Sequence, residues 1–153
     1  MKNASDEEIN LKGFTVYRKD RHSVKPGRRG GVVLYISNAL VSSNCDDLNR
    51  YKAESVWCNL HIDNGNILIV GVCYRSPTIE DHELDQLFGS IKQASRNQIL
   101  IMGDFNYPDT DWDTMCHNSS SSNFVDLVLD NFLIQHVNEP IRDKNVLDLV
   151  FYI

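Results

Sequence analysis

No apolar run in this 153-residue sequence approaches the ~20 residues that a membrane-spanning helix requires. The opening ten residues, MKNASDEEIN, hold no apolar segment of the kind a secretory leader needs. The four cysteines, Cys45, Cys58, Cys73 and Cys116, form no Cys-x-x-Cys pair, which excludes a zinc ribbon and a thioredoxin-type motif. The five histidines, His22, His61, His82, His117 and His136, show no His-Glu-x-x-His spacing, and none is given a role. The expectation is an intracellular, reduced protein with no membrane segment; nucleus and cytoplasm are not told apart. The sequons at Asn3 and Asn118 then carry no weight. Positive charge is not in excess either, since the formal net charge is −6. Nucleic-acid-binding domains are often basic, so bulk charge argues against a simple one.

The hydrophobic share of 42% and charged share of 24% are ordinary globular usage. A core can form, and the length suits one domain. Local charge is more informative than the total. Arg18, Lys19, Arg21, Lys25, Arg28 and Arg29 cluster around the single acid Asp20. Such a cluster can meet phosphates; it equally suits a solvated loop.

Residues 1–10 form a polar tail. Phe14–Arg18 alternates weakly and predicts a short strand, and Pro26-Gly27 marks a loop or hairpin turn. Gly31–Ser37, GVVLYIS, is a strand by its β-branched and aromatic content. In Ala53–Ile62, Val56, Cys58, Leu60 and Ile62 fall on one face of a strand. Asn64-Gly65 follows, the strongest short hairpin signal. Ile67–Tyr74, ILIVGVCY, reads as a strand buried on both faces. Thr78 is the expected cap of a helix carrying Leu84, Leu87, Phe88 and Ile91 at helical spacing. Ile99–Met102 is a short strand, and residues 107–122 form a polar loop. Phe124, Leu127, Val128 and Phe132 outline a second helix capped by Ser122 or Asn123, and strands are expected within Leu133–Val137 and Val146–Ile153. The alternation of strands and helices predicts a sheet-rich α/β layered domain.

Three segments carry candidate chemistry. In Gly103-Asp104-Phe105-Asn106 the carboxylate follows a buried strand, at the rim where ligand sites of α/β sheets gather. If the strand continued, Asp104 and Asn106 would point the same way and Phe105 into the core. A hard anionic oxygen beside a carboxamide suits Mg²⁺, and the same residues also suit a plain turn. Tyr74-Arg75 ends the preceding strand with donors suited to a phosphate, or with an ordinary strand-terminal tyrosine and surface arginine. Asp148 sits within an apolar strand pattern and would need a partner if buried, either a histidine it orients or Arg142. A rival metal reading at Asp109, Asp111 and Asp113 fails. An EF-hand loop would need glycine where Thr114 stands and glutamate where Ser120 stands. There the acids are expected to solvate the loop while Trp112 packs.

Taken in order, RGGVV at 29–33, VCYRSP at 72–77, IMGDFNYP at 101–108 with Asp111-Trp112, and NVLDLVF at 145–151 resemble the endonuclease/exonuclease/phosphatase superfamily. They most resemble the endonuclease domain of non-LTR retrotransposons of the jockey and chicken-repeat type. The likeness runs from about Leu11 to Ile153. It implies a two-sheet α/β sandwich of the DNase I-like type, with the site at one end between the sheets. It implies that Asp104 activates water and contacts the metal, that Asn106 binds the scissile phosphate, and that Tyr74 hydrogen-bonds the phosphate, beside the donors that Arg75 offers by its chemistry. Asp148 would hold a catalytic histidine. Mg²⁺, with Mn²⁺ as substitute, would be the cofactor, DNA the partner, and no small-molecule cofactor is implied.

The sequence also departs from that pattern. The family's metal-binding glutamate precedes the region matched here, and its Ser-Asp-His motif follows the strand that holds Asp148. The expectation is therefore a partial domain over residues 11–153, truncated at both ends, impaired in catalysis and poorly stable. A non-catalytic remnant that binds nucleic acid or protein, and a phosphatase branch of the superfamily, are the alternatives.

Overall fold

The computed structural model describes residues 9–21, 30–116, 118–137 and 146–153. Strands β1 (Phe14–Asp20) and β2 (Gly31–Ser37) pair antiparallel as a small sheet. The expected turn at Pro26-Gly27, with Lys25, Arg28 and Arg29, lies outside the described residues. The large sheet has six strands. They are β3 (Val41–Asn44), β4 (Ser55–His61), β5 (Ile67–Tyr74), β6 (Ile99–Asp104), β7 (Ile134–Gln135) and β8 (Asp148–Tyr152), in the order β3-β4-β5-β6-β8-β7. Helices α1 (Asp46–Asn49), α2 (Asp81–Ala94) and α3 (Ser122–Asp130) complete the described elements.

Local chemistry sets these boundaries. Between β4 and β5 the chain reverses through a single 3₁₀ turn in which Asn64 and Gly65 both take positive φ, as a tight hairpin demands. The β5–β6 pair is the parallel one, and α2 makes the crossover. That helix starts later than Thr78 suggests. Ser76–Thr78 form their own turn, with Ile79 N–H donating to the Ser76 carbonyl at 3.1 Å. Glu80 becomes the cap residue, its N–H donating to the buried carboxylate of Glu83 at 3.3 Å. Phe132 is likewise not part of α3: it lies beyond the helix at φ 55°, 81% exposed.

Two cores form on the two faces of the large sheet. On one face Leu87, Ile91, Phe105, Phe124, Leu149 and Phe151 are buried beneath the helices. Phe105 and Tyr107 each stack on Phe124 at 4.9 Å between ring centres. On the other face Val32, Leu34 and Ile36 of β2 pack against Val56, Cys58 and Val70. Strand β4 is thus filled on both sides, because Ser55 and Trp57 are also fully buried. Val56, Cys58 and Leu60 share the inner face as expected, whereas Ile62 lies past the end of the strand and is exposed. Cys58 and Cys73 are buried core residues, and burial pushes the Cys58 thiol up to about 11.

Candidate functional site

The sheet register brings three of the candidates together. Tyr74 pairs with Asp104 across β5–β6, and Asp104 pairs with Asp148 across β6–β8. The row continues to Glu54, just before β4, whose carbonyl accepts a hydrogen bond from Tyr74 N–H at 2.8 Å. Side chains at paired positions share a face. This face is that of Val72, Leu100 and Met102, the one turned toward the small sheet. The site therefore lies at one end of the large sheet, on its inner face.

Asp104 reaches its place because β6 runs two residues further than the apolar stretch. Gly103 makes that possible. A Cβ there would stand 1.8 Å from the Cys73 carbonyl oxygen, closer than any side-chain atom can come. The glycine is needed for close approach to β5 rather than for a turn. Burial pushes the Asp104 carboxyl above the usual carboxylate range. The negative charge of Asp148 adds to that, against hydrogen bonding from Asn106. Two carboxylates facing each other in this way are relieved by a cation between them.

The strand ends at Asp104, so Asn106 does not share its side by alternation. Asn106 takes a left-handed conformation at φ 52°. Its N–H donates to Asp104 Oδ1 at 3.1 Å, and its Nδ2 donates to the Arg75 carbonyl at 2.8 Å. The carboxamide thus ties the loop to β5. Phe105 points into the core as expected and is fully buried.

Arg75 is turned away from the row. The alternation that brings Tyr74 to the inner face sends Arg75 to the helix side. There its guanidinium carbon lies 3.9 Å from the Tyr107 ring centre. Its Nη1 donates to the carbonyls of Asn106 at 3.1 Å and Phe105 at 3.4 Å, and its Nε is buried without a hydrogen-bond partner. Arg75 holds the loop that presents Asn106.

Asp148 is exposed, not buried as its apolar neighbours suggest, because it is the first residue of β8 and stands at the rim. Arg142, its candidate partner, lies outside the described residues. The described histidines are engaged elsewhere: His61 with Ser43, His82 beside Glu80, and His136 stacked on Tyr152 at 4.3 Å. In the following loop Asp111 Oδ1 accepts from the N–H groups of Asp113 and Thr114. Those hydrogen bonds hold its carboxyl below the usual range. Trp112 packs edge-on against Phe124 and Phe151, so that loop is a packed turn.

Sequence reasoning missed Glu54 and, within the basic run, singled out no member. The signal for Glu54 was the alternation of Val56, Cys58 and Leu60, which extends back to it. Arg21 Nε lies 2.7 and 2.8 Å from the two carboxylate oxygens of Glu54. Its guanidinium carbon stands 5.0 Å from the Tyr74 ring centre.

Among the described residues no group of three or more His, Cys, Asp or Glu is placed to hold a metal ion. Asp104 and Asp148 offer two hard oxygen ligands on one face. That set fits Mg²⁺, which takes one or two carboxylates and completes its shell with water and phosphate. It does not fit a closed zinc site.

A family profile described as endonuclease-reverse transcriptase matches residues 68–152, a span that contains Tyr74, Arg75, Asp104, Asn106 and Asp148. Among solved structures, the endonuclease domain of TRAS1, a telomere-specific non-LTR retrotransposon, is similar at a TM-score of 0.68 and 14% identity. That match covers 93% of this chain and 68% of that one. The catalytic domain of human Nocturnin with bound sulfate anion matches at a TM-score of 0.55 and 16% identity, over 92% of this chain and 60% of that one. No curated protein sequence matches the chain. The two-sheet architecture is the DNase I-like fold that the ordered motifs imply. The chain belongs to the endonuclease-reverse transcriptase family.

Proposed function

We propose that the chain is a retrotransposon-derived, metal-dependent phosphodiesterase domain of the DNA endonuclease type, and that these 153 residues bind DNA but cleave it poorly. The observation that carries this reading is the single row Tyr74–Asp104–Asp148 across three adjacent strands. Asp104 orients the attacking water and, with Asp148, holds a divalent cation. A bound Mg²⁺, or Mn²⁺ in its place, stabilises charge on the phosphate and leaving oxygens. The Tyr74 hydroxyl donates to a phosphate oxygen. Asn106 lies beside the scissile phosphate, and Arg75 positions it through the loop carbonyls.

Poor cleavage follows from what surrounds Asp148. The described histidines point to other partners, so among the described residues no histidine stands ready as general acid/base at that carboxylate. Such a group is typically worth ~10²–10⁴-fold in rate.

The test is a pair of assays on the full chain in millimolar Mg²⁺. DNA binding is expected to depend on Mg²⁺ and to lose that dependence in Asp104→Asn, while nicking of supercoiled plasmid stays at background. Robust Mg²⁺-dependent nicking abolished by Asp104→Ala would overturn the impairment. Binding indifferent to Mg²⁺ would overturn the metal assignment. In that case the two-carboxylate donor set, short of three metal-binding groups among the described residues, would favour a non-catalytic DNA-binding remnant. The phosphatase branch is the weaker alternative, because the profile matched over residues 68–152 is that of an endonuclease.

A further inference from the structure

We infer that, among the described residues, the cation meeting the phosphate at this row is Arg21, held in place by Glu54, and that Arg75 does not serve there. The inference rests on the reading above, in which the row takes a phosphodiester.

Among the described residues two guanidinium groups lie near the site, and the sheet separates them. Arg75 is on the helix side, stacked on Tyr107 and bonded to the loop carbonyls of Phe105 and Asn106. Arg21 leaves the end of β1 and enters the inner face from the small sheet. Three contacts with described residues place it. Its Nε faces both oxygens of Glu54, whose side chain is only 9% exposed. Its guanidinium lies over the Tyr74 ring. On the other side Gly30 backs onto it: a Cβ at Gly30 would lie 3.3 Å from both Cζ and Nη1 of Arg21. With φ at +104°, Gly30 also has a conformation that other residues rarely adopt.

The other described cations of the basic run, Lys19 and Arg18, go elsewhere. Lys19 Nζ donates to the carbonyls of Asn49 and Tyr51, and Arg18 pairs with Asp20 at 2.7 Å. Arg21 is the member of that described run aligned with the row. A planar guanidinium fixed along its Nε edge presents directional donors to a phosphate, which a flexible ammonium does not.

Glu54 makes the idea testable by sign. The Arg21–Glu54 pair is neutral overall, so its phosphate contact is directional rather than a bulk field. Removing Arg21 deletes the donor and unmasks a carboxylate beside the phosphate. Removing the Glu54 charge takes away a carboxylate that repels the phosphate. A purely structural ion pair would instead suffer in the same direction from either change.

The experiment is fluorescence anisotropy of a labelled DNA duplex titrated with the full chain in Mg²⁺, with folding of each variant checked by urea denaturation. Arg21→Gln is expected to weaken binding about tenfold or more. Glu54→Gln is expected to tighten it about threefold. Arg21→Lys keeps the ion pair and the fold but loses the fork, and is expected to fall between wild type and Arg21→Gln. Lys92→Gln, on exposed surface of α2 across the sheet, serves as control and is expected to leave affinity unchanged. If wild type binds and both the Arg21 and Glu54 variants weaken binding alike, or neither moves it, this inference fails while the reading of the row stands. If wild type does not bind DNA, the reading fails and the inference with it. Should Arg21→Gln not fold, the Arg21→Lys and Glu54→Gln pair decides by the same opposition of sign.

Discussion

The two faces of the large sheet are built to different standards. On the helix side Trp57, Phe105, Phe124, Phe151, Ile99, Ile101 and Leu149 are each no more than 1% exposed. On the inner side the small sheet reaches only part of the way. It covers β4 and β5, where Val56, Cys58 and Val70 are buried, but across β6 and β8 Leu100, Met102 and Val150 are half-buried and Tyr152 is 44% exposed. The stabilising packing is concentrated on one face and the candidate chemistry on the other. A site needs this division. Carboxylates repelling each other under a dense apolar layer would neutralise themselves, whereas a half-open face lets water, a cation and a phosphate reach them.

The comparison breaks most readily at the aromatic cluster. Phe105→Ala is expected to cost about 4 kcal/mol in urea denaturation, because the cavity forms where neighbours cannot relax. Gly103→Ala should follow at about 3 kcal/mol, since a methyl against the Cys73 carbonyl forces β5 and β6 apart. Its signature is that DNA binding falls with stability. Met102→Ala, on the open face, is expected to cost only about 1 kcal/mol, because much of the side chain is already hydrated. A Met102 cost equal to that of Phe105 would show the two faces to be equally packed.

The smallest effect has the opposite sign. Asp104 has its pKa raised, so the folded chain binds that proton more tightly than the unfolded chain does. Its contribution therefore falls as pH rises from the ordinary carboxylate range through the raised value. Asp104→Asn should be more stable than wild type at neutral pH, by about 0.5 kcal/mol after solvent screening. The gap should close below the ordinary carboxylate range. Thermal melts of both proteins across pH 3–7 check this, and a variant that is less stable at neutral pH would contradict it.

Much of this architecture was legible in the sequence. β2 and β5 were bounded by their β-branched runs, and Asn64-Gly65 announced its hairpin. Asp104 and Tyr74 stood at strand ends. Four things were not legible, each because the assembled sheet decides them. β3, the short polar stretch VSSN, exists through its partner β4 and not through its own pattern. Arg75 looked like a companion to Tyr74, yet strand alternation places the two on opposite faces. Asp148 looked buried beside Leu147 and Leu149, and only its place at the rim exposes it. Glu54 and Arg21 are distant from the motif residues in sequence and meet them only across strands.

The row from Glu54 to Asp148 is also a ruler. Adjacent strands lie about 4.8 Å apart, so four positions side by side span about 14 Å, close to four base-pair steps at about 3.4 Å each. Because the intervals are set by backbone hydrogen bonds, substitutions of the four side chains in the row leave them unchanged. In the proposed reading, a nucleic-acid backbone laid along this edge meets a guanidinium at one end and two carboxylates at the other. The polarity in which it can lie, and the number of nucleotides the site senses, are then fixed by the sheet itself.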